Sequence, residues 1–274
     1  MLAVSGGGDS MAMLHLLASS GTSPLRVLTV DHGLRPEAAD EARLVETACE
    51  GLGVSFRSVR LDGLSGVNVM GEARKARYAA LRTHRRDGEL IATAHTQDDQ
   101  AETLLDRLSR GAGLRGLAGI APRREDGIVR PLIDVRRADL RAFLDEAGIR
   151  YVNDPTNVDA RFKRTRIRDL LAQEDEGLVR HLAELADEAR QAIDELRPEP
   201  TADLAALRAL SPLRRRYALR AIVPGGVSLR RPHLEDLDAL VLRGQGEVLL
   251  GGGLGAVVED GTLTFVSGRR GRSD

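Results

Sequence analysis

This 274-residue sequence predicts an α/β fold, with a parallel sheet followed by a smaller and mainly helical C-terminal domain. Three observations predict it. Short runs that are apolar throughout alternate with longer amphipathic segments, the rhythm of a parallel sheet covered by helices on both faces. Every polar motif of interest falls just after one of these runs, at the carboxyl end of a predicted strand, where such sheets bind ligands. Beyond Pro198-Glu199-Pro200 the pattern changes to short helices and a terminal stretch of alternating residues.

Taken in order, strands are expected at 2–4, 25–30, 55–59 and 90–94, and helices at about 9–20, 37–51, 70–86 and 98–109. Only four residues precede the first glycine-rich turn, so the first strand is expected to be very short. Gly111, Gly113, Gly116 and Gly119 make the next segment too glycine-rich for a helix and predict a flexible loop. Residues 136–147 form a further helix ended by Gly148. Asp154-Pro155-Thr156-Asn157 is a turn, because Pro155 pushes Asp154 away from helical geometry. Helical pattern resumes near Thr165 and runs, with a break near Gly177, to about Leu196. Helices at about 202–209, 212–223 and 232–243 come next, then a β-hairpin within 248–266 turning at Asp260-Gly261. The tail from Gly268 is expected to be disordered. The domain division is expected at 1–177 and 178–274.

Hydrophobic content of 42% and charged content of 30% are those of an ordinary globular protein. No apolar run reaches the ~18 residues of a membrane span. The chain enters its first strand without a basic leader, so a cytoplasmic location and no membrane partner are expected. The single cysteine, Cys49, excludes a disulfide framework and paired-cysteine chemistry. Net charge is −1, yet the basic residues are segregated. Eight arginines lie between Arg107 and Arg137. A second cluster is Arg161, Lys163, Arg164, Arg166 and Arg168, and a third is Arg214, Arg215, Arg216 and Arg220. Such clusters on a near-neutral chain fit a local face for a phosphate backbone. Solvated helix faces with acidic partners account for the third cluster equally well.

The first motif is Ser5-Gly6-Gly7-Gly8-Asp9-Ser10, set between a strand and a helix. Glycines let the backbone approach an anion, and the first free amides of the helix point at it along a favourable dipole. The turn carries Asp9 and no lysine, unlike the GxxxxGK[ST] loop, and a carboxylate beside a polyphosphate makes sense with Mg²⁺ between them. The second motif runs from Ala92 to Thr103 and contains His95, Asp98, Asp99 and Glu102. Asp98 and Glu102 are spaced i,i+4, and Asp99 and Glu102 i,i+3, so the three acids share roughly one face of a first helical turn. Acids there also complement the helix dipole, which explains one of them but not three beside a histidine. Facing the glycine-rich socket, they could hold Mg²⁺ on a triphosphate or place an incoming amine; hard oxygen ligands favour Mg²⁺ over zinc. The third motif, Glu72 to Tyr78 (EARKARY), puts Arg74 with Tyr78 or Arg77 on one helical edge.

The SGGGDS turn resembles the pyrophosphate loop of the N-type ATP pyrophosphatases. Within that superfamily several further segments are similar to the tRNA(Ile)-lysidine synthetase family: Val30 to Arg35, EARKARY, ATAHTQDDQAET, Arg110-Gly111 through Gly119, Arg130-Pro131-Leu132 and Asp154 to Asn157. The resemblance is dense over about residues 1–170 and loose beyond. It implies a Rossmann-like, adenine nucleotide α-hydrolase-like sheet and a two-step reaction. ATP adenylates the C2 oxygen of the wobble cytidine in a CAU-anticodon isoleucine tRNA, and free L-lysine then displaces AMP to give lysidine.

By the same resemblance Ser5, Gly6, Gly7, Gly8, Asp9 and Ser10 cradle pyrophosphate. Asp31, His32 and His95 belong to the nucleotide site, and Asp9 and Asp98 are the Mg²⁺ ligands. Asp9, Arg74, Asp99 and Glu102 are catalytic, while Arg110, Arg164 and Arg166 contact tRNA. Family members are often homodimers. One departure is Thr165, where the family usually carries Asn; Thr can still hydrogen-bond. A tRNA thiolase would need cysteines this chain lacks, and an ammonia-using ligase does not predict HxxDDxxET or the arginine clusters. A non-catalytic nucleotide- or tRNA-binding relative would not need Asp9, Asp98, Asp99 and Glu102 intact.

Overall fold

The computed structural model describes residues 1–21, 24–33, 38–61, 69–152, 163–173, 176–224, 227, 229–251 and 253–267. The turn expected at 154–157 and the tail from 268 lie outside these residues. The chain divides into two compact units, Met1–Ala189 and Arg190–Asp274.

The first unit carries five parallel strands, β1 (Leu2–Ala3), β2 (Arg26–Asp31), β3 (Ser55–Arg60), β4 (Ile91–Thr93) and β5 (Ile128–Val129), in the order β3-β2-β1-β4-β5. β1 is two residues long, as expected, yet it is central: Leu2 is in register with Val27 on one side and Ala92 on the other. The chain moves outward from β1 through β2 to β3, then resumes on the opposite side with β4. This places the reversal of strand order between β1 and β4, where a parallel sheet opens a crevice beyond its carboxyl ends.

Helices α1 (Gly8–Ser19), α2 (Ala38–Leu52), α3 (Val69–Thr83) and α4 (Gln97–Leu108) follow the first four strands. A short α5 (Leu114–Leu117) precedes β5, and α6 (Arg137–Glu146), α7 (Lys163–Gln173) and α8 (Glu176–Leu196) come after it. Met11, Met13 and Leu14 of α1 are buried with Val27 of β2, Val45 and Cys49 of α2, and Leu140 and Leu144 of α6. A separate cluster buries Tyr78 and Leu81 of α3 with Leu28, Ile91 and Ile128. Strands apolar on both faces are thereby covered twice, which explains why they lack polar alternation.

One expectation is corrected. The glycine-rich stretch after α4 is not a flexible loop. The Gln100 side chain donates to Ile120 O (3.0 Å) and accepts from Ile120 N (2.5 Å), and Arg107 Nη1 donates to the carbonyls of Gly116 (3.0 Å) and Gly119 (2.8 Å). Gly119 has φ +58°, and a Cβ there would overlap the Gln100 amide, while one at Gly116 would overlap Ala112, so these two glycines serve close packing. By packing, the two compact units part inside α8, between Ala189 and Arg190. The early turns of α8 bury Val179, Leu182 and Ala186 with Ala101 and Leu104 of α4 and Leu171 of α7, which holds them in the first unit.

Arg26 at the start of β2 donates to both carboxylate oxygens of Glu89, with Nε at 2.6 Å. Arg26, the Arg86 amide and the N-terminal ammonium hold the Glu89 carboxyl down to about 2, from an ordinary 4.5. Because the folded-state pKa is depressed, the stabilisation is complete above about pH 4.5 and is lost as pH falls towards 2. The difference in urea stability between wild type and Glu89→Gln should therefore be large at pH 7 and shrink across that window. A difference that does not change with pH would contradict this.

The second unit packs α9 (Leu204–Ala209), α10 (Pro212–Ile222) and α11 (Arg231–Arg243) on an antiparallel sheet of β6 (Gly246–Gly251), β7 (Leu254–Glu259) and β8 (Thr262–Ser267). The expected hairpin is β7–β8, and its turn residues Asp260 (φ 48°) and Gly261 (φ 73°) are both left-handed, the two-residue connection that matches strand twist. β6 adds a third strand. Within the third arginine cluster, Arg215 is a core residue rather than a surface cation. It is 4% exposed, with Nε 2.6 Å from Asp238 Oδ1 and Nη1 3.0 Å from Leu210 O. Arg215→Ala strands a buried carboxylate and should cost about 3–5 kcal/mol, whereas Arg215→Met with Asp238→Leu should recover most of it. Chemical denaturation checks both, and an equal loss in the double variant would contradict the burial argument. No helix among the described residues is long and apolar enough to cross a membrane.

Candidate active site

The turn after β1 is built from its own backbone. Gly6 adopts φ +84°, a conformation that favours glycine, and its carbonyl accepts from Val152 N at 2.9 Å. Ser10 Oγ donates to Gly7 O (2.9 Å) and accepts from Ser5 N (3.1 Å), closing the loop on itself. Gly7 is the N-cap of α1 and has no side chain to cap with; Ser10 N turns back to Gly7 O (3.0 Å), which leaves the Gly8 and Asp9 amides at the helix start for an anion. Asp9 lies in that first turn. Burial pushes its carboxyl pKa up, and Arg137 and Arg141 oppose the push.

The loop after β4 stands next to this turn because the two strands are paired. Thr96 caps α4 reciprocally: Thr96 N donates to Asp99 Oδ2 (2.9 Å), and Asp99 N donates to Thr96 Oγ1 (3.3 Å). One oxygen of Asp99 is thus structural. Asp98 Oδ2 accepts from Arg137 N (2.7 Å) and lies 3.4 Å from Arg136 Nε, standing in for the side-chain cap that α6 lacks. Dipole complementarity therefore accounts for Asp98 and half of Asp99.

The remaining carboxylate oxygens converge on one residue that sequence reasoning missed. Arg137 places Nε 3.1 Å from Asp9 Oδ2, Nη2 3.2 Å from Asp99 Oδ1 and Nη1 3.0 Å from Glu102 Oε1. Burial alone would lower its pKa; the three carboxylates outweigh burial and raise it. Glu102 is 1% exposed and also receives Arg168 Nε at 2.7 Å. The guanidinium of Arg137 thus links α1, α4 and α6 where Asp9, Asp99 and Glu102 converge. The only sequence signal was its place in an arginine cluster.

Most of the other expected residues have partners of their own. His95 Nδ1 is 3.0 Å from Thr93 Oγ1, and burial, with Arg130, Arg74 and Arg77, holds its pKa down to about 3, so the ring is neutral near pH 7. Asp31 ends β2, and its Oδ1 accepts from Gly33 N (2.8 Å); His32 follows it, half-buried. Arg74 lies with its guanidinium 5.3 Å from the Tyr78 ring centroid. Arg110 is exposed in the turn after α4 and paired with Asp106 of that helix, and Arg166 is exposed on α7; the side chain of Arg164 lies outside what is described.

A glycine-rich phosphate socket and an acidic helix start, side by side at the reversal point of a parallel sheet, define a nucleotide-binding α/β domain. Residues 1–175 match the family model of the PP-loop domain, and the chain belongs to that family. Among named relatives it is 50% identical over 179 residues to the tRNA(Ile)-lysidine synthase of Novosphingobium aromaticivorans, covering 62% of this chain and 55% of that protein. It is 46% identical over 211 residues to the tRNA(Ile)-lysidine synthase of Ruegeria pomeroyi, covering 70% of this chain and 49% of that protein. The chain thus spans about half the length of these relatives. Its fold is similar to that of the U34-tRNA thiolase NcsA from Methanococcus maripaludis, with a TM-score of 0.57 at 19% identity over 68% of this chain and 70% of that one.

Proposed function

We propose that the chain joins L-lysine to C2 of the wobble cytidine of a CAU-anticodon isoleucine tRNA, using ATP and releasing pyrophosphate and AMP. The observation that carries this reading is the convergence of Asp9, from the turn after β1, with Asp99 and Glu102, from the helix after β4, on a single cation. Those carboxylates supply hard oxygen donors, and Mg²⁺ is typically held by one or two carboxylates together with substrate phosphates. No group of three acids, histidines or cysteines among the described residues could cage a metal alone, which suits an ion held chiefly by a triphosphate. In this reading Asp9 would hold it, with Asp98 beside it accepting from the Arg137 amide at the start of α6. When bound, the ion would neutralise phosphate charge.

In this reading Ser5, Gly6, Gly7, Gly8 and Ser10 receive the pyrophosphate, Asp31, His32 and neutral His95 line the nucleotide, and Arg74 faces the reacting groups. Arg110, Arg164 and Arg166 would contact the RNA. Adenylation turns the C2 oxygen into a phosphate-ester leaving group. The lysine amine, after losing a proton to a carboxylate of the Asp99–Glu102 pair, attacks C2; the C–N bond forms as the C–O bond to AMP breaks. No covalent nucleophile from the protein is required.

Product release in single turnover, with ATP, Mg²⁺ and the isoleucine transcript, tests the order of steps. Pyrophosphate should appear without lysine and only with the transcript present, and AMP should appear only when lysine is added. Pyrophosphate release that ignores the RNA would overturn the reading.

A further inference from the structure

We propose that the cavity beside α3, lined by Arg74, Lys75, Tyr78, Arg82 and Arg124, is a phosphate subsite for the RNA strand whose base enters the active site. The inference rests on the RNA-modifying function above and goes beyond it by assigning a backbone contact to Arg82 and Arg124, outside the motifs, together with Lys75 and the edge of the third motif. The cavity is built around one buried aromatic ring. Tyr78 is 6% exposed, and the guanidiniums of Arg74, Arg77, Arg124 and Arg82 lie 5.3, 5.4, 5.8 and 5.9 Å from its centroid. Each is within cation–π range, so the ring holds four like charges together.

Nearby acids do not balance that charge. Glu72 pairs with Lys75 at 2.9 Å, and Asp126 is shared by Arg82 (2.7 Å) and Arg124 (2.9 Å). Five cations thus meet two carboxylates, and among the described residues Arg74 and Arg77 have no ion pair. A fixed surplus of this kind attracts an anion, and arginine suits phosphate because its planar fork binds two oxygens at once.

Size and position select the ligand. The volume of about 240 Å³ lies below the ~300–1,000 Å³ of pockets that enclose a whole small molecule, so it suits one charged group of a longer chain. Arg82 and Arg124 are 46% and 41% exposed, so the mouth is open to a polymer passing over it. The positive field also continues inward, since Arg74 and Arg77 are among the cations that keep His95 neutral at the end of β4. A backbone phosphate in the cavity would leave its strand directed towards the site.

Fluorescence anisotropy of the isoleucine transcript against salt concentration, comparing wild type with Arg82→Gln/Arg124→Gln, tests the assignment. The double variant should bind more weakly, with a log–log salt slope shallower by about one, the expected loss for one phosphate contact. Arg82→Lys/Arg124→Lys should restore most of the slope. Lys75→Gln, which leaves the partners of Asp126 in place, should shift affinity in the same direction and carries the test if the double variant does not fold. An unchanged slope, or weakened binding of ATP with RNA binding intact, would overturn the proposal. A protein that binds RNA with this slope change yet transfers no lysine would overturn the lysidine reading and leave the subsite standing.

Discussion

Glu102→Gln should stop lysine transfer and loosen the site together. Glu102 is the most deeply buried of the acids and faces two guanidiniums, Arg137 Nη1 at 3.0 Å and Arg168 Nε at 2.7 Å. A neutral amide there leaves two partly buried cations beside each other with one carboxylate fewer, and breaking an ion pair at a buried carboxylate costs up to about 3–5 kcal/mol. Loss of the carboxylate that orients and deprotonates the incoming ammonium should slow transfer by about 10²–10⁴-fold. Lysine transfer under saturating ATP and a denaturation curve read the two effects separately. In a cycle with Arg137→Gln, the double variant should be much less destabilised than the sum of the two single variants, because the residues act as one unit. Unchanged transfer in Glu102→Gln would remove the residue from the site.

Asp9→Asn should abolish the first half of the reaction. The substitution keeps the shape that packs in the first turn of α1 and removes only the charge, so the fold survives. Losing a residue that merely supports a metal ligand costs about 10–100-fold; loss of the ligand itself should exceed that for pyrophosphate release. Asp9 is also one of three carboxylates on Arg137, so the variant frees the Nε that lies 3.1 Å from Asp9 Oδ2. Pyrophosphate release at the wild-type rate, with the wild-type Mg²⁺ dependence, would contradict this role.

Local physics was legible in the sequence. The helix from Gly8, the capped start of α4 and the hairpin at Asp260-Gly261 each depend on neighbours within a few residues, and each lies within a residue or two of its expected place. The first two strands could be placed because they are apolar on both faces. β5 was missed because two residues, Ile128–Val129, carry no periodic signal, and β6 because a strand bounded by Gly246 and Gly251 does not read as one. Glycine content predicts backbone freedom at 111–119, whereas Gly116 and Gly119 are engaged by the side chains of Arg107 and Gln100, which no local pattern connects to them. Arg137 shows the same limit at the site. Its partner Asp9 lies 128 positions away, and only the fold brings one guanidinium to three carboxylates. The motifs named the acids, while the cation that organises them belongs to tertiary structure.

In the proposed reaction these acids serve lysine transfer to one particular RNA. Purified protein incubated with ATP, Mg²⁺ and labelled lysine should place label in an isoleucine tRNA transcript with the CAU anticodon and none in a methionine tRNA transcript with the same anticodon. Label in neither transcript from folded protein, or equal label in both, would contradict the claim.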